Sequence, residues 1–138
     1  MINKHTRVLI LDDSHAQSLL IEKMLNVMGY YCIACATTAK EGAALSWAGQ
    51  RKFDALIASE HLLDLHNYQS PLIEKFSIVN LFVYSCGPHD HDLTLRVSGT
   101  TCYRTGLPEY RALEEFMASL VPHIIVCTSQ HPVRTHAR

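Results

Sequence analysis

The chain has 138 residues, of which 48% are hydrophobic and 18% are charged, a composition typical of one globular domain rather than of a disordered chain. Its formal net charge of -1 gives no electrostatic reason to expect binding to nucleic acid or to an anionic membrane. No apolar run approaches the roughly 18 residues of a membrane-spanning helix. The first residues carry no hydrophobic signal-peptide region, so we expect a cytoplasmic protein.

Short apolar runs alternate along the chain with stretches of helical periodicity. The runs predict five strands, at residues 8–11, 31–35, 53–58, 78–84 and 100–104. Such alternation is typical of an α/β fold with a parallel sheet. We expect one domain over residues 6–121, with 122–138 as an extension or tail. An apolar run in that extension leaves three interpretations open: an extra edge strand, a dimer contact, or a connection to another segment.

The helices between these strands are marked by residues that typically begin or end a helix. Helical spacing of apolar residues after Ser14 predicts a first helix that ends at Gly29. Thr38 and Glu41 form a capping-box pattern that opens a second helix. Pro108 is placed as the first residue of the last helix. Two further helices are predicted, within residues 60–76 and at 90–97.

Two adjacent carboxylates, Asp12 and Asp13 (the acid pair), follow directly on the first strand. In an open parallel sheet this position is the C-terminal edge, where ligands bind. Neighbouring carboxylates repel each other unless a cation lies near them, and Mg²⁺ takes oxygen ligands. The residues leave two interpretations open. They form a weak Mg²⁺ site, or a solvated turn in which Asp13 or Ser14 caps the helix.

Two other patterns also suggest metal or redox chemistry. Cys32 and Cys35 form a C-x-x-C, but they lie in a predicted strand, and we expect buried, reduced thiols. His89 and His91 alternate with aspartates at a predicted helix start, where acidic residues favour the helix dipole. No third metal ligand can be named for either pattern.

The segment 8–14, followed by a helix to Gly29, resembles the opening of the receiver domains of two-component response regulators. Residues 53–58 resemble the third strand of that family, and residues 99–103 resemble the end of its fourth helix and its fifth strand. The resemblance spans residues 6–121. It implies a flavodoxin-like, doubly wound fold with five parallel strands.

The chain departs from the family at the residues that carry its chemistry. Ser59 stands where the family has its phosphoacceptor aspartate, and a serine hydroxyl needs a neighbouring general base to act. Glu60 is adjacent, but successive strand residues point to opposite faces. The family's switch positions correspond to Ser85 and Tyr103. Its lysine position corresponds to Gly106.

The resemblance and these departures together predict a degenerate receiver that regulates a partner without phosphorylation. We expect no enzymatic activity and no required cofactor, with at most weak Mg²⁺ binding at the acid pair. The expected partner is a protein, such as a histidine kinase, an output domain or another regulator. The family's fourth helix, fifth strand and fifth helix imply a contact or homodimer face, here at residues 92–97, 101–104 and 110–116.

Two alternatives stay open. In the first, the domain is phosphorylated in a phosphorelay at a non-standard acceptor, for which Asp64 is a better placed candidate than Asp54. In the second, the chain is a metal-dependent enzyme that uses the acid pair with His61 or His66. Tight, stoichiometric metal binding would favour the second alternative.

Overall fold

The computed structural model describes residues 5–48, 52–63, 78–85 and 99–122. These residues contain five strands that form one parallel sheet in the order β2-β1-β3-β4-β5. The strands are β1 (Arg7–Leu11), β2 (Cys32–Ala36), β3 (Ala55–Ser59), β4 (Asn80–Ser85) and β5 (Thr101–Thr105). The helices are α1 (His15–Met28), α2 (Ala39–Ala48) and α3 (Tyr110–Ala118), with a short 3-10 turn at Glu60–Leu62. The predicted fold class, a doubly wound sheet of five parallel strands, is confirmed.

The two faces of the sheet are covered by different helices, as the alternation of side chains along each strand requires. On one face, Val8 and Ile10 of β1 belong to a buried cluster that includes residues of α1 and α3. On the other face, Leu9 and Leu11 belong to a second cluster, against which α2 packs. The central strands are therefore buried on both sides, which explains why they are continuous apolar runs.

Helices α1 and α2 begin and end where the sequence predicts. The Ser14 side chain accepts a hydrogen bond from the Gln17 N–H, and Gly29 ends α1 with φ 104°, a left-handed conformation that glycine adopts without strain. The N–H of Glu41 donates to Thr38 Oγ1 over 3.0 Å at the start of α2. The Glu41 carboxylate accepts from the Thr37 N–H rather than from that of Thr38, a small variation on the capping box.

Two expectations are wrong. Pro108 is not the first residue of the last helix, because Glu109 is still extended (φ -89°, ψ 154°) and serves as the N-cap of α3. Cys32 and Cys35 are exposed rather than buried, because β2 is an edge strand. The helices predicted within 60–76 and at 90–97, His89 and His91, and nearly all of the extension 122–138 lie outside the described residues.

A buried asparagine, Asn80, lies at the N-terminal edge of the sheet and bonds to backbone groups of Asp54, Thr100 and Val121. Asn80 is fully buried, and its amide group donates to the backbone carbonyls of Asp54 and Val121. Its carbonyl oxygen accepts from the N–H groups of Thr100 and Val121. One side chain thus joins β3, β4, β5 and the end of the last helix.

No helix in the described part of the chain is both long enough and apolar enough to cross a bilayer.

Candidate functional site

The C-terminal edge of the sheet brings together side chains that are distant in sequence. Strands β1 and β3 pair Leu11 with Ala58, so the acid pair follows β1 beside the end of β3. Strands β3 and β4 pair Ser59 with Tyr84. The candidate site therefore consists of the acid pair, Ser59, Tyr84 and the turn that follows Ser59.

Asp12 is the buried member of the acid pair, with 1% of its surface exposed. Its Oδ1 accepts a hydrogen bond from the Ser14 N–H over 2.8 Å. Its Oδ2 accepts a short hydrogen bond from the hydroxyl group of Tyr84, which is also fully buried. Both oxygens of this carboxylate are thus engaged by groups of the protein itself.

Asp13 is the exposed member, and it belongs to a chain of side-chain hydrogen bonds, the Ser59–His61–Asp13 chain. His61 Nε2 lies 2.9 Å from Asp13 Oδ2, and His61 Nδ1 lies 2.8 Å from Ser59 Oγ. The side chains of His61 and Asp13 are 59% and 55% exposed, whereas Ser59 as a whole is 5% exposed. The hydrogen bond with His61 holds the pKa of Asp13 below its ordinary value, although desolvation acts in the opposite direction.

The turn Glu60–Leu62 gives this chain its geometry. Ser59 ends β3, and the 3-10 turn that begins at Glu60 is closed by a hydrogen bond from the Leu63 N–H to the Glu60 carbonyl. Leu63 is buried in the second core cluster and anchors the turn against the sheet. Glu60 faces away from His61 and accepts a hydrogen bond from the Tyr103 hydroxyl over 3.1 Å. The turn is thereby attached both to the loop after β1 and to β5.

Two further residues that the receiver resemblance singled out lie at the same edge. Ser85 ends β4, pairs with Thr105 and accepts the Gly106 N–H through its carbonyl. Gly106, predicted at the family's lysine position, has φ 87° and no side chain, so it supplies no cation. Arg104 is exposed, and its guanidinium donates to the Tyr103 carbonyl.

The residues at this edge fit poorly with the divalent ion that the receiver family binds. The sequence resemblance predicts Ser59 at the position where the receiver family has a third carboxylate. Both oxygens of Asp12 accept hydrogen bonds, and one oxygen of Asp13 is paired with His61. A divalent ion takes roughly six or more oxygen ligands, and here it would have to share these carboxylate oxygens with the groups that already bond to them. Residues 5–48, 52–63, 78–85 and 99–122 contain no group of three or more side chains suited to hold a metal.

Sequence reasoning missed the two contacts that define this site. His61 was considered as an acid/base or metal residue, but its bond to Ser59 was not predicted, and Tyr84 was not singled out. The alternation of strand faces could not predict this bond, because His61 lies in the 3-10 turn after β3. Asp54 lies at the opposite edge, where its carboxylate accepts from the Arg7 N–H. Asp64 and His66 lie outside the described residues.

No protein-family model matches the chain, and no characterised protein matches its sequence. Solved structures do match. An orphan response regulator of H. pylori shares 23% identity with a TM-score of 0.66 over 87% of this chain and 100% of the other. A CheY-like receiver domain from Methylobacillus flagellatus shares 17% identity with a TM-score of 0.61 over 83% of this chain and 97% of the other.

A third match is a phosphorylated protein. It is a response regulator from Burkholderia pseudomallei with a phosphorylated aspartic acid, a calcium ion and citrate. It shares 18% identity with a TM-score of 0.59, over 94% of this chain and 74% of the other. The chain has the fold of receiver domains. At these identities the similarity is one of fold, and function has to be argued from the site.

Proposed function

We propose that this chain is a degenerate receiver domain that regulates a protein partner in signal transduction without phosphorylation at the receiver acceptor position. The observation that carries the proposal is the hydrogen bond between Ser59 and His61 at that position. Receiver chemistry needs an anionic nucleophile, a divalent ion and a cation near the phosphoryl group. Ser59 replaces the nucleophile and Gly106 the lysine, while the acid pair is engaged by neighbouring residues.

The internal hydrogen bonds also support a domain held in one state. In this proposal the Ser59–His61–Asp13 chain and the bond between Tyr84 and Asp12 take the place of the contacts that a metal ion would make. A ligand shifts such a domain only if it binds two of its conformations with different affinity. A partner protein bound to an exposed face is the expected source of that difference.

The partner face that we propose contains β5 and α3. β5 is the second edge strand of the sheet, and Thr101, Arg104 and Thr105 are exposed along it. On α3, Tyr110 is 39% exposed beside charged residues. An exposed aromatic side chain among charges is a common feature of protein interfaces. The corresponding partners are a histidine kinase, an output domain, another regulator or a second copy of the chain, and the cytoplasm is the proposed location.

Intact mass spectrometry after incubation with Mg²⁺ and phosphoramidate tests the proposal. We expect no phosphoryl group on the wild-type chain, because the acceptor position offers a serine and two engaged carboxylates. Ser59→Asp should be labelled, which would show that phosphorylation is lost because of the residue at the acceptor position. Ser119→Asp, near the opposite edge, is the control and should not be labelled. A phosphoryl group on the wild type contradicts the proposal, and peptide mapping would then test Asp64.

A further inference from the structure

We propose that Ser59 is an acyl acceptor, with His61 as its general base and Asp13 as the residue that positions the imidazole. The proposal goes beyond the regulatory function above, because it gives the domain a covalent input that is not phosphate. It starts from one observation. A hydroxyl, an imidazole and a carboxylate are joined in that order by contacts of 2.8 and 2.9 Å at the ligand-binding edge of a parallel sheet.

The order of hydroxyl, imidazole and carboxylate is that of an activated serine nucleophile. A serine hydroxyl becomes nucleophilic when an adjacent base accepts its proton and a third group orients the base. Here His61 Nδ1 faces Ser59 and Nε2 faces Asp13, the reverse of the nitrogen order in chymotrypsin-like proteases. Either order works, because a neutral imidazole has one donor and one acceptor nitrogen. The carboxylate of Asp13 accepts the Nε2–H and leaves Nδ1 as the acceptor beside Ser59.

The surroundings of Ser59 favour an acyl group over a phosphoryl group. Phosphoryl transfer spreads negative charge over three oxygens, and proteins stabilise it with Mg²⁺ and cationic side chains. The acid pair is negative, and the family's lysine position is Gly106. The acyl group that is transferred is uncharged, so the acylated Ser59 places no new negative charge beside the acid pair. Because Ser59 is only 5% exposed, the acyl group must be small.

The reaction is written for an activated acyl donor such as an acyl phosphate or a thioester. The Ser59 Oγ attacks the carbonyl carbon as its proton passes to His61 Nδ1. The bond from that carbon to the phosphate oxygen or thioester sulfur then breaks, and the leaving group departs with the electron pair and takes up the proton from His61, which returns to its neutral form. The products are a Ser59 ester and a free phosphate or thiol. The ester has no hydroxyl proton, so the hydrogen bond to His61 is lost.

The loss of that bond has a structural consequence. The His61 imidazole is held by Ser59 on one side and by Asp13 on the other, and it lies in the turn that also contacts Tyr103 through Glu60. Acylation removes one of these attachments. The conformation of the turn Glu60–Leu62 then depends on acylation of Ser59, in the way that a receiver's loop depends on phosphorylation of its aspartate.

The test treats the full chain with acetyl phosphate in the presence of EDTA, and separately with the acetyl thioester of N-acetylcysteamine. Acetyl phosphate offers both an acetyl and a phosphoryl group, so the mass that is added identifies the chemistry. We expect one acetyl group on Ser59, located by peptide mapping and absent in Ser59→Ala. In His61→Ala the labelling rate should fall by at least about 100-fold, the usual contribution of a general base.

Three further variants keep the test specific. Asp13→Asn should slow labelling, and Asp13→Glu should recover part of the rate, because glutamate restores the carboxylate. A carboxylate that only stabilised the fold would not affect the acylation rate. His15→Ala removes another exposed imidazole, at the start of α1, and should leave the rate unchanged. Circular dichroism establishes that each variant is folded before its rate is compared.

The outcomes separate this proposal from the regulatory one. No acetyl group on Ser59 from either donor overturns the acyl proposal and leaves the regulatory proposal standing. An unchanged rate in His61→Ala also overturns it, because the imidazole is then only a structural contact. A phosphoryl group on Ser59 overturns both proposals.

Discussion

At the N-terminal edge of the sheet, Asn80 is fully buried and bonds to backbone groups, whereas at the C-terminal edge His61 and Asp13 are more than half exposed and bond to side chains. The first arrangement supplies partners to partly buried backbone groups beside the strands and after the last helix. The second joins side chains of three different residues. This difference separates a polar cluster that stabilises the fold from one that is available for chemistry.

The largest effect is expected for Asn80→Ala. The substitution leaves the carbonyls of Asp54 and Val121 and the N–H groups of Thr100 and Val121 without their partner. A buried group without a partner costs about 1–3 kcal/mol, so the free energy of unfolding should fall by about 3 kcal/mol or more. Denaturant titration measures the loss. Asn26→Ala is the control, because Asn26 makes one bond within α1 and should cost far less. Equal losses of unfolding free energy in Asn80→Ala and Asn26→Ala would contradict the structural role of Asn80.

A smaller loss is expected for Gly99→Ala at the same edge. A Cβ at this position would lie 2.5 Å from the Val79 carbonyl oxygen and 2.6 Å from Asn80 Oδ1, so the backbone must shift. Crowding of this kind costs about 1–3 kcal/mol. Gly106→Ala makes a useful comparison, because space is open there and only its φ of 87° opposes a side chain. Gly106→Asn should be tolerated better than Gly106→Ala, since asparagine adopts positive φ more readily. Thermal unfolding of the three variants tests this order.

His61→Ala should cause a smaller loss of stability. The pair with Asp13 is exposed, and exposed pairs contribute little. The substitution also removes the bond to the buried Ser59 hydroxyl, so the unfolding free energy should fall by about 1 kcal/mol, while the acylation rate changes strongly. A loss as large as that of Asn80→Ala would mean that the C-terminal edge is structural too, and the comparison between the edges would fail.

The smallest effect concerns acid stability. The folded pKa of Asp13 is lower than its ordinary value of 3.8 because of the hydrogen bond with His61. Its contribution is therefore fully present above the unfolded pKa and is lost as the pH falls through the lower, folded value. In Asp13→Asn, the free energy of unfolding should therefore decline slightly less steeply as the pH falls below 3.8. Denaturant titrations of both proteins between neutral and strongly acidic pH measure this dependence. An identical slope of unfolding free energy against pH would contradict the role of the hydrogen bond with His61.

Much of the fold could be predicted because its signals are local. Continuous apolar runs marked the strands, and residues such as Ser14 and Gly29 marked helix ends, since capping depends on neighbours in sequence. Pro108 was misplaced because proline is also favoured just before a helix begins. The exposure of Cys32 and Cys35 depends on the position of β2 in the sheet, which a strand pattern does not contain.

The candidate site was predictable only in part, for the same reason. The acid pair and Ser59 were found from their places at strand ends. The partners of these residues depend on contacts between strands: Tyr84 reaches Asp12 across the sheet, and Asn80 bonds to groups as far away as Val121. Such contacts depend on register and side-chain direction, which no single segment of the sequence specifies.

The turn Glu60–Leu62 joins two surfaces of the molecule that are far apart in sequence. Its His61 contacts the loop after β1, and its Glu60 contacts Tyr103 on the edge strand β5. Any coupling free energy between these contacts is reciprocal. If modification of Ser59 changes the affinity of a protein bound around Tyr103, then binding of that protein changes the equilibrium at Ser59 by the same factor. A partner's presence is therefore measurable at Ser59, without any observation of the partner itself.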